Sequence, residues 1–386
     1  MYSLLIAIIY LAFISLGLPD SLLGSAWPVM HQDIGVSISY MGVLSMIVSG
    51  GTIISSLFSD KLTKRFGTNK VTTVSVFLTA IALLGFSYAK SRWGLIAVAI
   101  PYGFGAGAID AALNNYVAVH YSSRHMSWLH CFWGVGTIIS PFVMSYALTN
   151  LVWNDGYRII AFIQLAIGAI LLFTLPIWKV NAPRCTEEAE STPSIGLIKA
   201  LKIKGVPSLL IGFFAYCAGE CTAMAWSCTY LVKAREMDEP TAAAFASLFF
   251  IGMTVGRFIG GFFMDKLGDR KMIILGSSII GVGIALMILP VSGNAFALIG
   301  LIVIGLGCAP IYPCIIHSTP SNFGAENSGA IIGIQMASAY CGATFIPPLF
   351  GLISGAIGFE LFPIYMLIFF VLMIIMVEKT FKIAKK

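Results

Sequence analysis

The chain is dominated by apolar runs long enough to cross a membrane. Twelve can be marked out, at residues 3–29, 38–59, 71–89, 94–119, 127–149, 158–178, 206–232, 241–264, 272–290, 295–317, 328–355 and 359–378. A helix needs about 20 apolar residues to span roughly 30 Å of hydrocarbon, so each run is sufficient alone. With 58% hydrophobic and 10% charged residues and a mean hydropathy of +0.91, this much apolar surface could not be hidden in water. The first run has no basic start and no A-x-A-like cleavage site, and it continues past Asp20 to Pro28. It reads as an uncleaved first span. The expected fold class is therefore an all-α polytopic membrane protein with 12 transmembrane helices.

Between the runs lie short bursts of charge, and two of them match. Ser56 to Lys70 reads S-L-F-S-D-K-L-T-K-R-F-G-T-N-K, and Gly256 to Lys271 reads G-R-F-I-G-G-F-F-M-D-K-L-G-D-R-K. Asp60-Lys61-Leu62 thus returns as Asp265-Lys266-Leu267 after 205 residues, while Gly136 and Pro141 return as Gly342 and Pro347 after 206. The one long polar break divides the spans six and six. The expected organisation is an N-terminal six-helix bundle at 1–178, a linker at 179–205 and a C-terminal six-helix bundle with a short tail at 206–386. Parallel six-span repeats about an axis along the membrane normal are the plan of major facilitator transporters.

The net charge of +6 marks topology rather than a nucleic-acid partner. With the N-terminus taken as cytoplasmic, that side collects Lys61, Lys64, Arg65, Lys70, Arg124, the linker lysines, Lys266, Arg270, Lys271 and the C-terminal lysines, against Lys90, Arg92, Arg158, Lys233 and Arg235 opposite. By the positive-inside rule both termini and the linker are cytoplasmic. Seven of the eight cysteines lie within spans and none forms a C-x-x-C pair, so no disulfide frame is expected. Cys217 and Cys221 share a helix face but suit packing better than metal binding. The absence of an N-x-S/T sequon suits a bacterial inner membrane.

Gly261, Asp265, Lys266, Gly268, Arg270 and Lys271 resemble the cytoplasmic signature G-x-x-x-D-R/K-x-G-x-R/K-R/K of the major facilitator superfamily. The first copy departs from it, with Ser56 in the glycine position and the glycine displaced to Gly67. Positive-inside bias alone explains the lysines but not Gly261 or Asp265. The resemblance implies a role in the conformational switch for Asp60, Lys61, Arg65, Gly261, Asp265, Lys266 and Arg270.

Three carboxylates stand well inside spans: Asp20 in the first, Asp110 in the fourth and Glu220 in the seventh. Each costs about 3 kcal/mol at the bilayer centre on insertion scales, which marks them as candidate proton-coupling groups. Asp20 and Glu220 occupy equivalent places in the repeat. Asp110 and Asn114 lie one turn apart on one face of a glycine-rich helix, P-Y-G-F-G-A-G-A-I-D-A-A-L-N-N-Y. These segments, with H-C-F-W-G-V-G from His130 to Gly136, resemble the fucose:proton symporter branch of the superfamily. That resemblance implies that Asp20 and Asp110 couple protonation to sugar transport, although the fourth-span acid here is an aspartate rather than that symporter's glutamate, so the substrate itself does not carry over.

A sugar site needs flat aromatic faces and hydroxyl partners. Trp27, Trp133, Trp226, Tyr230 and Tyr340 could supply the faces, and Asn114, Asn115, His130, Glu220 and Gln335 the partners; interfacial anchoring and interhelical hydrogen bonds are the competing roles. The expected function is proton-coupled symport of a small polar solute, a sugar, by alternating access. Export as a drug or metabolite:proton antiporter is the alternative. So is sodium coupling, since Asp110 and Asn114 offer hard oxygen ligands. Neither Asp20 nor Asp110 sits in a G-x-G-D setting, so an intramembrane protease is not expected. The expected partners are a small-molecule substrate and the lipid bilayer, with no cofactor or metal, no nucleic acid, and a monomeric state.

Overall fold

The computed structural model describes residues 2–37, 40–180, 195–237, 239–289 and 293–384. The middle of the expected linker, with its glutamates and Cys185, lies outside the described residues. In chain order the helices are α1 Tyr2–Asp20, α2 Leu22–Ile34, α3 Tyr40–Phe66, α4 Thr68–Tyr88, α5 Arg92–His120, α6 Ser123–Asn150, α7 Trp153–Phe173 and α8 Leu175–Val180. They continue as α9 Leu197–Lys202, α10 Val206–Arg235, α11 Glu239–Leu267, α12 Asp269–Ile288, α13 Ala295–Cys308, α14 Ile311–Phe323, α15 Ala325–Ile357 and α16 Phe362–Ala384. No strand occurs among the described residues. Twelve spans long and apolar enough to cross a membrane are present among them, and the expected all-α fold class holds.

Two spans are broken helices. The first, Leu4–Trp27, changes helix at Ser21, just after Pro19, whose missing N–H leaves a carbonyl of the preceding turn without its helical donor. The tenth, Ala295–Phe323, breaks at Ala309-Pro310. Asp20 is the last residue of α1, where the backbone is already interrupted.

The chain forms two compact units, and neither coincides with a six-helix half. Unit 1 contains Met1–Tyr116, Leu129–Ile195 and Ala325–Ala337; unit 2 contains Val117–Trp128, Gly196–Gly324 and Ser338–Lys386. The six-plus-six division is thus crossed twice, and the charged repeats are the reason. Asp265 of α11 gathers the α5–α6 turn into unit 2, accepting from Arg124 Nε at 2.9 Å, Arg124 Nη2 at 2.7 Å and Ser122 Oγ at 3.1 Å. In unit 1, Asp60 of α3 lies against Gly329, the fifth residue of α15, while Ser328 Oγ donates to Asn115 Oδ1 at 2.7 Å. Asp265 also accepts from Arg124 N at 3.2 Å at the start of α6, where free N–H groups favour an anion, whereas Asp60 is paired with Lys64.

The irregular first copy also finds its explanation here. Gly67 and Gly268 both end a helix with φ of 87° and 77° and donate to Thr63 O and Met264 O, a conformation in which a side chain would strain the backbone. The displaced glycine does the same work one turn later, because α3 runs further past its aspartate. The glycine expected at Ser56 has moved to the opposing helix, where a Cβ on Gly333 would lie 2.6 Å from Ser56 O. In the second copy the glycine remains on the motif, and a Cβ on Gly261 would lie 2.5 Å from Trp128 Nε1.

Helix crossings inside the units depend on similar close approaches. A Cβ on Gly103 or Gly107 of α5 would strike Val48 O or Thr52 O of α3, and one on Gly105 would lie 2.7 Å from Thr79 Cγ2 of α4. On α6, a Cβ on Gly136 would strike Ile14 O and stand 2.8 Å from Leu18 N of α1. On α15, one on Gly342 would strike Phe214 O and stand 3.3 Å from Ala218 N of α10. The repeat is therefore reproduced in the packing. Gly136→Leu is expected to force α1 from α6 and to destabilise the protein by about 1–3 kcal/mol, the usual cost of overpacking, read as a lower midpoint of thermal unfolding in detergent.

Candidate functional site

The α1–α6 crossing places Asp20 beneath Trp133. Asp20 is exposed, and its carboxylate accepts from Trp133 Nε1 at 2.8 Å and from Tyr102 Oη of α5 at 3.2 Å. One turn before Trp133 on α6 is His130, which is buried and reaches Asn114 Oδ1 through Nε2 at 3.1 Å. Asn114 Nδ2 in turn donates to Asp110 Oδ1 at 2.7 Å and to the Asp110 carbonyl at 2.9 Å. Because the amide nitrogen is used on Asp110, the oxygen faces the imidazole, and His130 Nε2 must be the donor. Phe13 of α1 meets the His130 ring edge-on with centroids 5.4 Å apart.

Unit 1 thus carries an accessible carboxylate and a buried one, tied to a single helix through Trp133 and His130. Asp110 and Asn114 are buried, as is Gln335 in the α15 segment of this unit. Trp27 is buried at 2% exposure, with its ring 6.0 Å from that of His31, so it presents no open face. Asn115 follows Asn114 by one residue, about 100° around the helix, and is engaged by Ser328 in the Asp60 cluster instead of by His130. Lys64 reaches the same cluster, 3.3 Å from Asp60 Oδ1 and 3.4 Å from the Glu326 carbonyl. Lys61 and Arg65 lie over the rings of Phe58 and Phe66.

Glu220 has the place in α10 that Asp20 has in α1, but a different environment. It is buried, with Tyr216 Oη 2.8 Å and Arg257 Nη2 of α11 3.4 Å from its Oε1, and the single Tyr216 hydroxyl hydrogen is shared with Cys308 O, 2.9 Å away. Arg257 is itself 5% exposed and forms the buried counter-charge. In sequence it falls in the charged stretch that begins one residue earlier, at Gly256. Its signal was present: counted back from Gly268, it stands about three turns inside the span. Elsewhere in unit 2, Trp226 Nε1 donates to Pro347 O at 2.8 Å, Tyr230 Oη accepts from Arg235 Nε at 2.8 Å, and Tyr340 is half-buried. Lys266 is exposed, and Arg270 forms a two-pronged pair with Glu378 at 2.9 and 2.6 Å.

A buried ion pair is costly to break on one side only. Glu220→Gln or Arg257→Met alone is expected to destabilise the folded protein by about 3–5 kcal/mol, and Glu220→Gln with Arg257→Met by clearly less than the sum, because the stranded charge is gone. Thermal unfolding of the three variants measures this coupling.

This arrangement has known counterparts. The model of the Major Facilitator Superfamily matches the chain twice, at residues 9–207 and 208–385. The chain is 22% identical to Bypass of stop codon protein 6 of Saccharomyces cerevisiae, covering 91% of this chain and 77% of that one. It is also 22% identical to the glucose/mannose transporter GlcP of Bacillus subtilis, over 89% of this chain and 86% of the relative. Among solved structures, the E. coli fucose:proton symporter FucP superposes with a TM-score of 0.82 at 17% identity, over 98% of this chain and 99% of that one. With the family model matched over nearly its whole length and the same fold in FucP, the chain belongs to the Major Facilitator Superfamily of transporters.

Proposed function

We propose that this transporter is a proton-coupled symporter of a small polar solute, a sugar, working by alternating access in a cell's inner membrane as a monomer with both termini cytoplasmic. The observation that carries the reading is the environment of Asp20. An indole N–H can only donate. Ionised, Asp20 accepts from both Trp133 and Tyr102. Once protonated, one of its oxygens becomes a donor; Trp133 cannot accept, and Tyr102 Oη can do so only by turning its own hydrogen to another acceptor. A sugar hydroxyl both accepts and donates, so it completes the protonated site better than the ionised one. Proton and substrate then bind each other's form of the carrier preferentially, which is the condition for coupling.

In this reading Trp133 supplies the flat face, and the His130–Asn114–Asp110 chain holds the second carboxylate ready on the same helix. The names of the GlcP and FucP relatives support the substrate class and the coupling ion. The Asp60 and Asp265 clusters gate the basic end, and the Glu220–Arg257 pair secures α10 to α11. One proton moving down 100 mV releases about 2.3 kcal/mol, enough at about 1.4 kcal/mol per decade for roughly fifty-fold accumulation. A single coupled carboxylate is sufficient.

Asp20→Asn and Asp110→Asn are each expected to abolish uphill uptake in proteoliposomes while retaining counterflow exchange. Full gradient-driven uptake by both variants would overturn the assignment. Replacing sodium by choline at fixed pH is expected to leave wild-type uptake unchanged, and its loss would indicate sodium coupling instead.

A further inference from the structure

Outside the Asp20 site, unit 2 contains a cluster whose hydrogen bonds require a specific number of protons. His317 of α14 approaches the Tyr121 carbonyl through Nε2 at 2.9 Å and Asp269 Oδ2 of α12 through Nδ1 at 2.7 Å. Ser123, the first residue of α6, donates to Asp269 Oδ1 at 2.6 Å and lies 3.0 Å from His317 Nδ1. A carbonyl can only accept, so Nε2 carries a hydrogen. A neutral imidazole has one such hydrogen and an ionised carboxylate has none. Yet Nδ1 and Asp269 Oδ2 are within hydrogen-bond distance, and the Ser123 hydroxyl has its hydrogen turned to Oδ1. One additional proton must therefore lie between His317 and Asp269, whichever atom formally holds it. Without it, lone pairs on Nδ1 face those of Oδ2 and of Ser123 Oγ.

We infer that this shared proton pins the α5–α6 turn to α12 and α14, and that release of the turn is controlled by pH at the basic end of the bundle. The turn is held here by Tyr121 and Ser123, two residues on either side of the point where α5 ends and α6 begins. The other titratable or charged groups around the cluster leave His317 as the histidine that bridges the turn to the second half. Asp265 on α11 also acts electrostatically on His317, but it is occupied by Arg124 of α6. Cys314, one turn before His317 on α14, interacts with Asp269. His125 on α6 stacks between Tyr121 and Trp128 with centroid distances of 5.4 and 5.9 Å. The consequence is a transporter whose α5–α6 turn is held when the medium at that end is acidic and loosened when it is alkaline, a feedback that would restrain a carrier importing protons. The inference itself needs no assignment of substrate or coupling ion.

Hydrogen–deuterium exchange of purified protein tests it directly, read on peptides covering residues 117–128 and corrected for the intrinsic chemical rate. Between about pH 6 and about pH 8, where a histidine changes charge, wild-type exchange in this segment is expected to rise about tenfold, while the interior of α4 does not change. Two substitutions remove the requirement for the extra proton. The Asp269→Asn amide can donate to a neutral Nδ1, and the His317→Gln amide can donate to both former acceptors. Either should give a flat profile. A flat wild-type profile, or an unchanged slope in a folded variant, would overturn the inference. Failure of one variant to fold leaves the other and the wild-type profile as complete tests. Because the readout is not transport, it stands apart from the symport reading.

Discussion

The backbone contact between α1 and α6 is the constraint on which the rest of unit 1 depends. Gly17 and Gly136 allow the two helices to approach so closely that any side chain on either would meet the other's peptide groups. Ser21 and Ser140 extend the seam, donating to Thr137 O and Leu18 O across it. In lipid, helices gain little from hydrophobic association with one another, so such close packing and interhelical hydrogen bonds are what hold a bundle. The seam also determines chemistry: it ends at the helix break where Asp20 emerges, and it sets Trp133 above that carboxylate at hydrogen-bond distance.

Duplication supplied the same seam twice and the two copies then diverged. Gly342 packs on α10 as Gly136 packs on α1, which makes Glu220 the counterpart of Asp20 in space as well as in sequence. Yet Asp20 is exposed and held by neutral donors, whereas Glu220 is buried against Arg257 and Tyr216. One copy retains a carboxylate held only by neutral donors, and the other has a charge pair satisfied inside the protein. In the proposed symport, asymmetry of this kind would let one half carry coupling while the other provides a framework.

Much of this was legible in the chain. Length and apolarity gave twelve spans, and the matched loops gave the repeat, because both depend on local sequence. The glycines of α5 also announced close packing, which the approach to Val48 and Thr52 bears out. What escaped was relational. Arg257 lies 37 residues from Glu220, and although its depth in the span can be counted from Gly268, only the fold shows that the two side chains meet. Asn114 and Asn115 are indistinguishable by composition, and only the helical rotation between them sends one to His130 and the other to Ser328. His317 lies near a span end, and its significance comes from Tyr121 and Asp269, which are distant in the chain.

The account rests centrally on protons and solute crossing together at Asp20. A pH electrode in a lightly buffered suspension of proteoliposomes measures that without any imposed gradient. Addition of a transported sugar should make the medium transiently alkaline with the wild-type protein, and should leave it unchanged with Asp20→Asn. Sugar entry by the wild-type protein with no accompanying proton movement would contradict the account.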